Sequence, residues 1–235
     1  MWDNFQDTLI GLSSFQCVIL SLLLNGMLFL LSIVIHIYFE KTSCNKPLQN
    51  SLPPLSKSDI LSSIITILCN SLVMFIGVTL WKKEWILIHP TGNIIHVILE
   101  VFLFIIIMDF LMYVFHYVAH SPYLYRLMHR KHHEHISTNF LSLFVIHPLE
   151  SLGFGLMMIV LLMCYNFSLL GVTLYIMINL IWGTAGHLNR EFFPARSELM
   201  GIGTTQFHNK HHLSENKNFG FYTNIWDRIF NTYEK

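Results

Sequence analysis

The sequence predicts an all-α protein, a bundle of membrane-spanning helices with a histidine-rich helical cap on one side. Three observations lead to this fold class. Charged residues make up only 12% of the 235 residues, about half the share of a typical soluble domain. The apolar residues form long runs without Asp, Glu, Lys or Arg, and the mean hydropathy is +0.52. The 14 histidines, as many as all lysines and arginines together, lie mostly outside these runs.

Charge and cysteine content exclude several classes of protein. The formal net charge is zero, so nothing predicts electrostatic capture of nucleic acid. The four cysteines are scattered and form no CxxC pair, so neither a disulfide framework nor a zinc ribbon is predicted.

About three membrane spans are expected in the first half of the chain. No charged residue lies between Asp7 and Glu40, which is long enough for a tilted helix across the bilayer. A polar, proline-containing loop at residues 40–59 separates this run from a second span at 60–80. The third span is predicted from about residue 94 to residue 118.

A helical hairpin is expected in the second half. No charged residue lies between Glu150 and Arg190, and two apolar pieces, 151–164 and 168–183, flank a short polar turn. Each piece is slightly short for a full crossing, so the hairpin should enter the membrane and return. It would bring the polar segments before and after it to the same side.

The distribution of basic residues predicts the orientation. The histidine-bearing segments also hold many lysines and arginines, so the positive-inside tendency places them in the cytoplasm and the N-terminus outside. Lys82 and Lys83 would then lie outside, which conflicts mildly with that tendency.

The histidines occur at spacings that suit metal ligands. Residues three and four apart share one helix face, and such pairs recur in HxxxH at 116–120 and in HxxHH at 129–133 and 208–212. With one further histidine, the candidate ligands are His116, His120, His129, His132, His133, His187, His208, His211 and His212. One ion cannot use nine ligands, so two metal ions are the simplest solution. Imidazole suits zinc, copper, iron and nickel alike, so these residues alone do not select the metal.

The position of these histidines suggests a lipid substrate. The groups begin where the third span leaves the membrane and resume after the hairpin, so a metal centre would lie at the membrane surface. The glycines lack the strand and helix context of a phosphate-binding loop or a dinucleotide fingerprint.

Two carboxylates are candidates for roles beside the metal. Asp109 lies inside a span on the helix face of His116 and His120, where a carboxylate is costly. We expect Asp109 to orient a ligand histidine through a hydrogen bond, although a contact with another helix would also explain it. Glu191, four residues after His187, could bind a metal or orient a ligand, and the sequence leaves this open.

Several motifs occur together in a fixed order. They are DxxxYxxHxxxH at 109–120, HRKHH at 129–133, GHLN at 186–189, FHNKHH at 207–212, NFG at 218–220 and WDRIFNTY at 226–233. The set resembles the fatty acid hydroxylase superfamily, which includes sterol desaturases, sterol methyl oxidases, cholesterol hydroxylase and fatty-acid hydroxylases. The resemblance covers roughly residues 94–235, so we expect an N-terminal membrane segment at 1–93 and a catalytic domain at 94–235.

The resemblance implies a function for the histidines. It implies a non-haem di-iron centre that uses O2 and electrons from a separate donor protein to hydroxylate or desaturate a lipid, a sterol or a fatty acyl or alkyl chain. The nine histidines above match the three histidine boxes and the single histidine of this family. An HPxE element at 147–150 makes His147 a tenth candidate ligand.

Some alternatives stay open at this stage. A histidine-rich membrane transporter for divalent metals, or a metal-handling protein, is the main alternative, and a membrane haem protein is a third. The sequence does not separate a hydroxylase from a desaturase. The short chain without a recognisable retrieval signal slightly favours a bacterial inner membrane over the endoplasmic reticulum.

Overall fold

The computed structural model describes residues 2–50, 54–134 and 138–235. Short helical segments and turns connect the longer helices. The helices are α1 Trp2–Gly11, α2 Ser14–Thr42, α3 Lys57–Lys82, α4 Ile94–Ala119, α5 Pro122–Leu124, a π-helix Tyr125–His129, α6 Arg130–His133, a 3₁₀ turn Ser142–Phe144, α7 Pro148–Cys164, α8 Leu169–Gly186, a 3₁₀ turn Ser197–Met200, α9 Thr205–Leu213 and α10 Ile225–Ile229. Two short strands, β1 Ile88–His89 and β2 Phe167–Ser168, form one parallel pair.

The predicted membrane bundle is confirmed. Within the described residues, α2, α3, α4 and α8 are long and apolar enough to cross a membrane, and α7 is a shorter apolar helix. Large apolar side chains such as Leu23, Phe102 and Val160 are about three-fifths exposed on these helices. An apolar surface of this extent is stable only where lipid covers it.

The first apolar run forms two helices instead of one. Ser13 begins α2 with a capping box, in which its hydroxyl accepts from the backbone N–H of Gln16 and the Gln16 side chain accepts in return. Lys82, at the end of α3, donates from Nζ to the carbonyl oxygen of Leu12 at 2.5 Å. This contact gives Lys82 a local structural role, because it ties the end of α3 to the turn between α1 and α2.

The hairpin of α7 and α8 goes deeper than expected. The turn of the hairpin forms β2, which pairs with β1, the strand that precedes α4 in the chain. Phe167 pairs with Ile88, and Ser168 pairs with His89. The expectation that both pieces are short of a full crossing holds for α7, which is a shorter apolar helix, but not for α8, which ends three residues later than its apolar piece and is long enough to cross a membrane. Both open ends of the hairpin lie on the side where α4 ends.

The core holds α4 against the hairpin. Phe104 of α4 stacks on Tyr175 of α8 with ring centroids 4.0 Å apart, and it contacts Phe167 at 4.5 Å. All three side chains are buried. This packing fixes the end of α4, with its two histidines, relative to the ends of α7 and α8.

Candidate metal centre

The nine candidate histidines come together in two groups. In each group every residue offers one ring nitrogen, and these nitrogens all lie within 4.8 Å of one another. The five-histidine group is His116, His120, His129, His133 and His211, and the four-histidine group is His132, His187, His208 and His212. The predicted ligands therefore meet in space as two adjacent candidate sites.

The two HxxHH boxes contribute to both groups in an interleaved way. In the second box, His129 and His133 enter the five-histidine group, while His132 enters the other. The third box reverses this: the i and i+4 residues, His208 and His212, enter the four-histidine group. In each box the i and i+4 residues share one group, and the i+3 residue crosses to the other.

In the five-histidine group, ring nitrogens face one another as lone pairs. Nδ1 of His116 lies 2.8 Å from the carbonyl oxygen of Phe219, and a carbonyl only accepts, so this nitrogen carries the proton. Nδ1 of His129 is 3.0 Å from Oε1 of Glu150, which accepts the Nδ1 proton when the carboxyl group is ionised. With that tautomer of His129, the two Nε2 atoms are lone pairs only 3.0 Å apart. They repel one another unless a cation lies between them.

The same pattern links the remaining boxes. Nδ1 of His211 donates to the carbonyl oxygen of Lys217 at 2.6 Å, and its Nε2 lies 3.1 Å from Nε2 of His133. Nδ1 of His187 donates to the carbonyl oxygen of Gly183 at 2.8 Å. Ligand histidines commonly donate their other ring N–H in this way, which fixes the tautomer and the ring orientation. The donor set therefore fits two metal ions that prefer imidazole.

Burial keeps these imidazoles neutral. Burial lowers the pKa of His133 to about 4. Burial, followed by the charges of His116 and His133, lowers the pKa of His120 to about 2. Burial and then neighbouring histidines also lower the pKa values of the other buried ring systems, those of His129, His132, His208, His211 and His212. Neutral imidazole is the form that binds metal.

Asp109 has a different role from the one expected. Its carboxylate accepts from the backbone N–H of Tyr222 at 2.8 Å and of Thr223 at 3.2 Å, and from Nε1 of Trp226 at 3.0 Å. No ligand histidine is among its hydrogen-bond partners in the described residues. The expected hydrogen bond from Asp109 to a ligand histidine is not formed, because the C-terminal segment occupies the carboxylate oxygens of Asp109. The composition of the sequence does not predict where that segment lies.

Glu150 fills the role that was expected of Asp109. It is 3% exposed and accepts from the ring of His129. Glu150 belongs to the HPxE element and lies in the first turn of α7. A carboxylate at the start of an apolar helix was the signal in the sequence for this role. The backbone carbonyls that hold the other rings leave no mark in the sequence.

Glu191 and His147 lie outside both histidine groups. Glu191 accepts from the backbone N–H of Gln206 at 2.8 Å and of Phe193 at 2.7 Å, so it fixes the start of α9. His147 is the N-cap of α7, and its Nδ1 accepts from the backbone N–H of Leu149. The structure does not bring His147 to either set of ligands.

The C-terminal tail holds the carbonyl that orients His116. Asp227 is fully buried and accepts from the backbone N–H of Phe219 and of Gly220, both at 2.8 Å. Phe219 then offers its carbonyl oxygen to His116. The NFG and WDR segments are thus one structural unit beneath the histidines.

Comparisons with known proteins agree with the geometry. The family described as Fatty acid hydroxylase matches residues 101–232, which is more than half of the chain. A Delta(7)-sterol 5(6)-desaturase from Aspergillus fumigatus is 32% identical over 59% of this chain and 38% of its own length. A cholesterol 25-hydroxylase-like protein from Danio rerio is 28% identical over 65% of this chain and 62% of its own length. A very-long-chain aldehyde decarbonylase from Oryza sativa subsp. indica is 29% identical over 54% of this chain and 22% of its own length.

These similarities support a family for the chain, but not a specific substrate. The match spans less than two fifths of the sterol desaturase, and no solved structure matches the chain. The named relatives are eukaryotic, so the slight preference for a bacterial inner membrane is not supported. From the family match and the four membrane helices, this chain is a multi-pass membrane protein that belongs to the Fatty acid hydroxylase family of lipid-modifying oxidoreductases.

Proposed function

We propose that the protein is a di-iron oxidoreductase that uses O2 to hydroxylate or desaturate a lipid. The observation that carries this proposal is the convergence of neutral histidine nitrogens into two groups at one end of the membrane helices. Imidazole is a suitable ligand for iron. When bound, the iron would supply the oxidising power that breaks an unactivated C–H bond.

The residues around the histidines prepare the site for metal. Carbonyl oxygens of Phe219, Lys217 and Gly183 hold three Nδ1–H groups, and the Glu150 carboxyl group holds a fourth. Each of these rings would then offer its Nε2 lone pair to a metal ion. Burial of most of these rings excludes water, which protects a reactive centre from side reactions.

The proposed reaction needs two electrons from outside the chain. In hydroxylation, one oxygen atom of O2 enters a C–H bond and the other leaves as water, with two electrons and two protons consumed. In desaturation, two neighbouring C–H bonds are lost, a double bond forms, and both oxygen atoms leave as water with the same input. We infer a separate electron-donor protein for both reactions.

We infer a membrane lipid as substrate, a sterol or a fatty acyl or alkyl chain. The histidine groups lie where α4 and α8 end, so a lipid can approach from the bilayer. The printed names of the relatives describe sterol and long-chain aldehyde chemistry, which supports this class. We further propose the endoplasmic reticulum membrane, with the basic, histidine-bearing side in the cytoplasm.

The alternative of a metal transporter is less well supported. Transporters bind their ions near the middle of the membrane, on interrupted helices. Here the histidine groups begin in the last turn of an unbroken α4, at His116, and continue beyond the end of that helix. A haem protein would show a Soret absorption band, and we expect none.

Metal and product analysis of two alanine variants tests the proposal. His132→Ala removes a ligand of the four-histidine group and His211→Ala one of the five-histidine group, so each should lower the iron content and abolish lipid oxidation. Lys131→Ala, inside the HRKHH box but turned toward Ser58, is the matched control. The products should be lipids that gain one oxygen atom or lose two hydrogen atoms. Full activity in both alanine variants would refute the proposal.

A further inference from the structure

A third cluster of potential metal ligands lies at the opposite end of α4. It consists of His89 in β1 and of His96 and Glu100 in the first turns of α4, with one ligand atom of each within 4.8 Å of the others. Twenty residues of helix separate His96 from His116, which corresponds to about 30 Å at 1.5 Å per residue. The cluster is therefore separate from the histidine groups and lies near the other face of the membrane.

The spacing of the ligand atoms suits a small divalent cation. Nε2 of His89 is 3.0 Å from Oε1 of Glu100, and Nε2 of His96 is 3.3 Å from the same oxygen. Zinc binds nitrogen and oxygen at about 2.0–2.2 Å, so its tetrahedral ligand atoms lie roughly 3.3 Å apart. Two histidines and a glutamate are also a known zinc ligand set with one open position.

The hydrogen bonds of His89 point to a positive charge between these atoms. Nδ1 of His89 lies 2.8 Å from the carbonyl oxygen of Pro90, so this nitrogen carries a proton. In the neutral ring Nε2 is then a lone pair that faces a carboxylate oxygen of Glu100. Two acceptors this close need a cation between them, either a metal ion or a second proton on the ring.

Glu100 is held as a ligand carboxylate would be. It is 1% exposed; the backbone N–H of Ser168 donates to its Oε1 at 3.1 Å, and the Ser168 hydroxyl donates to its Oε2. Ser168 is the N-cap of α8, so the positive end of that helix faces the carboxylate. A Cβ at Gly171 would lie 2.8 Å from Oε2 of Glu100, so glycine permits this close approach.

The two histidines leave a path for an ion. The side chains of His89 and His96 are 35% and 49% exposed, while the carboxylate beneath them is buried. The pairing of β1 with β2 fixes His89 beside Ser168. A cation bound here would join β1, the start of α4 and the start of α8.

We propose that His89, His96 and Glu100 form a separate, third metal site, which binds a single Zn²⁺ ion with water as the fourth ligand. Nothing in the proposed lipid oxidation involves these residues, so the site does not rest on that function. The bound ion would hold β1, and with it the hairpin turn that pairs with β1, against the start of α4, at the end of that helix opposite the histidine groups.

Zinc binding to iron-loaded protein tests this site. Purified protein of known iron content is dialysed against Zn²⁺, and both metals are counted. We expect one zinc ion per chain with the iron content unchanged, and loss of that zinc in His89→Ala and in His96→Ala. The affinity of each variant should fall more than roughly 100-fold, since even partners behind a ligand contribute 10–100-fold. His96 is exposed and His89 is only partly buried, so these variants should fold.

A ligand-preserving variant and a matched control sharpen the result. His96→Cys should retain binding and show a thiolate charge-transfer band with Co²⁺, whereas Leu99→Ala, exposed on the same helix, should bind zinc as the unchanged protein does. Zinc should also raise the melting temperature of the unchanged protein and not that of His96→Ala. Zinc uptake only at the expense of iron, or equal uptake in the histidine variants, would overturn the proposal and leave a protonated His89 as the cation.

Discussion

Glu150 is a buried side chain that contacts one of the candidate ligand histidines directly. It joins the start of α7 to His129 through a buried hydrogen bond of 3.0 Å. With Glu150 ionised, this bond selects the tautomer in which Nε2 of His129 is available to a metal ion. The HPxE element therefore supports the second histidine box although it supplies none of the grouped ligands.

We predict that Glu150→Ala weakens iron binding without removing a ligand. His129 would lose the acceptor that fixes its tautomer, and such a loss costs roughly 10–100-fold in metal affinity. Competition with a chelator of known affinity measures the change. Glu134→Gln, at an exposed carboxylate, is the control, and an unchanged iron affinity in Glu150→Ala would contradict the role of this contact.

A second prediction concerns Asp109, which is surrounded by hydrogen-bond donors. Asp109→Asn would turn an amide N–H₂ toward the N–H groups of Tyr222 or Trp226, so the C-terminal segment should loosen. We expect a loss of unfolding free energy on the order of 1–3 kcal/mol. Thermal unfolding measures this loss, and limited proteolysis of the tail should become faster.

Metal content separates the two possible roles of Asp109. Because it acts on the tail and not on a histidine, a stabilising lipid or a lower temperature should restore iron binding in Asp109→Asn. A variant of normal stability with permanently reduced iron content would instead support a direct role at the metal.

At the scale of elements, α9 carries three ligands on nine residues. Its start is fixed by the hydroxyl of Thr204, which accepts from the backbone N–H of Phe207 at 3.1 Å, and by Glu191. A helix this short depends on its caps because few internal hydrogen bonds hold it. The two caps therefore position the third histidine box.

We predict that Thr204→Ala destabilises α9 by about 1 kcal/mol. Backbone amides at 205–213 should exchange hydrogen faster in the metal-free protein, and bound metal should suppress most of the difference. Thr173→Ala, at an exposed position inside α8, is the comparison. Equal exchange rates in both variants would show that the ligands of α9 are positioned by other contacts.

The sequence predicted the elements better than their connections. The spans and histidine boxes follow from apolar runs and i, i+4 spacing, which are local properties of the chain. The interleaving of the boxes, the partner of Asp109 and the depth of the hairpin depend on contacts between distant segments. For example, Asp109 meets Tyr222 across more than 100 residues, and no local pattern predicts that meeting.

At the scale of the whole molecule, the buried histidines make stability depend on pH. The folded pKa of His133 is about 4, below its ordinary value of 6.5. The unfolded chain therefore binds protons first as the pH falls, so stability is full above about 6.5 and declines between 6.5 and 4. Protons also compete with metal for the same nitrogens.

We predict that metal-free protein keeps its thermal stability between pH 7.5 and about 6.5 and loses it progressively as the pH falls from there to 5. Melting temperatures across this range measure the effect, and the metal-loaded protein should release iron over the lower part of it. His133→Gln should reduce the slope of stability against pH. A stability that rises on acidification would contradict the neutral state of these imidazoles.

The interleaved boxes also constrain how the sequence can change over evolutionary time. Substitutions of Arg130 or Lys131, which lie between ligands, leave each ring in its own group. An insertion of one residue between His129 and His132 would turn the helix by about 100° and send both later histidines away from their groups. An insertion within a box should therefore disturb metal binding more than a substitution of the residues between the histidines does.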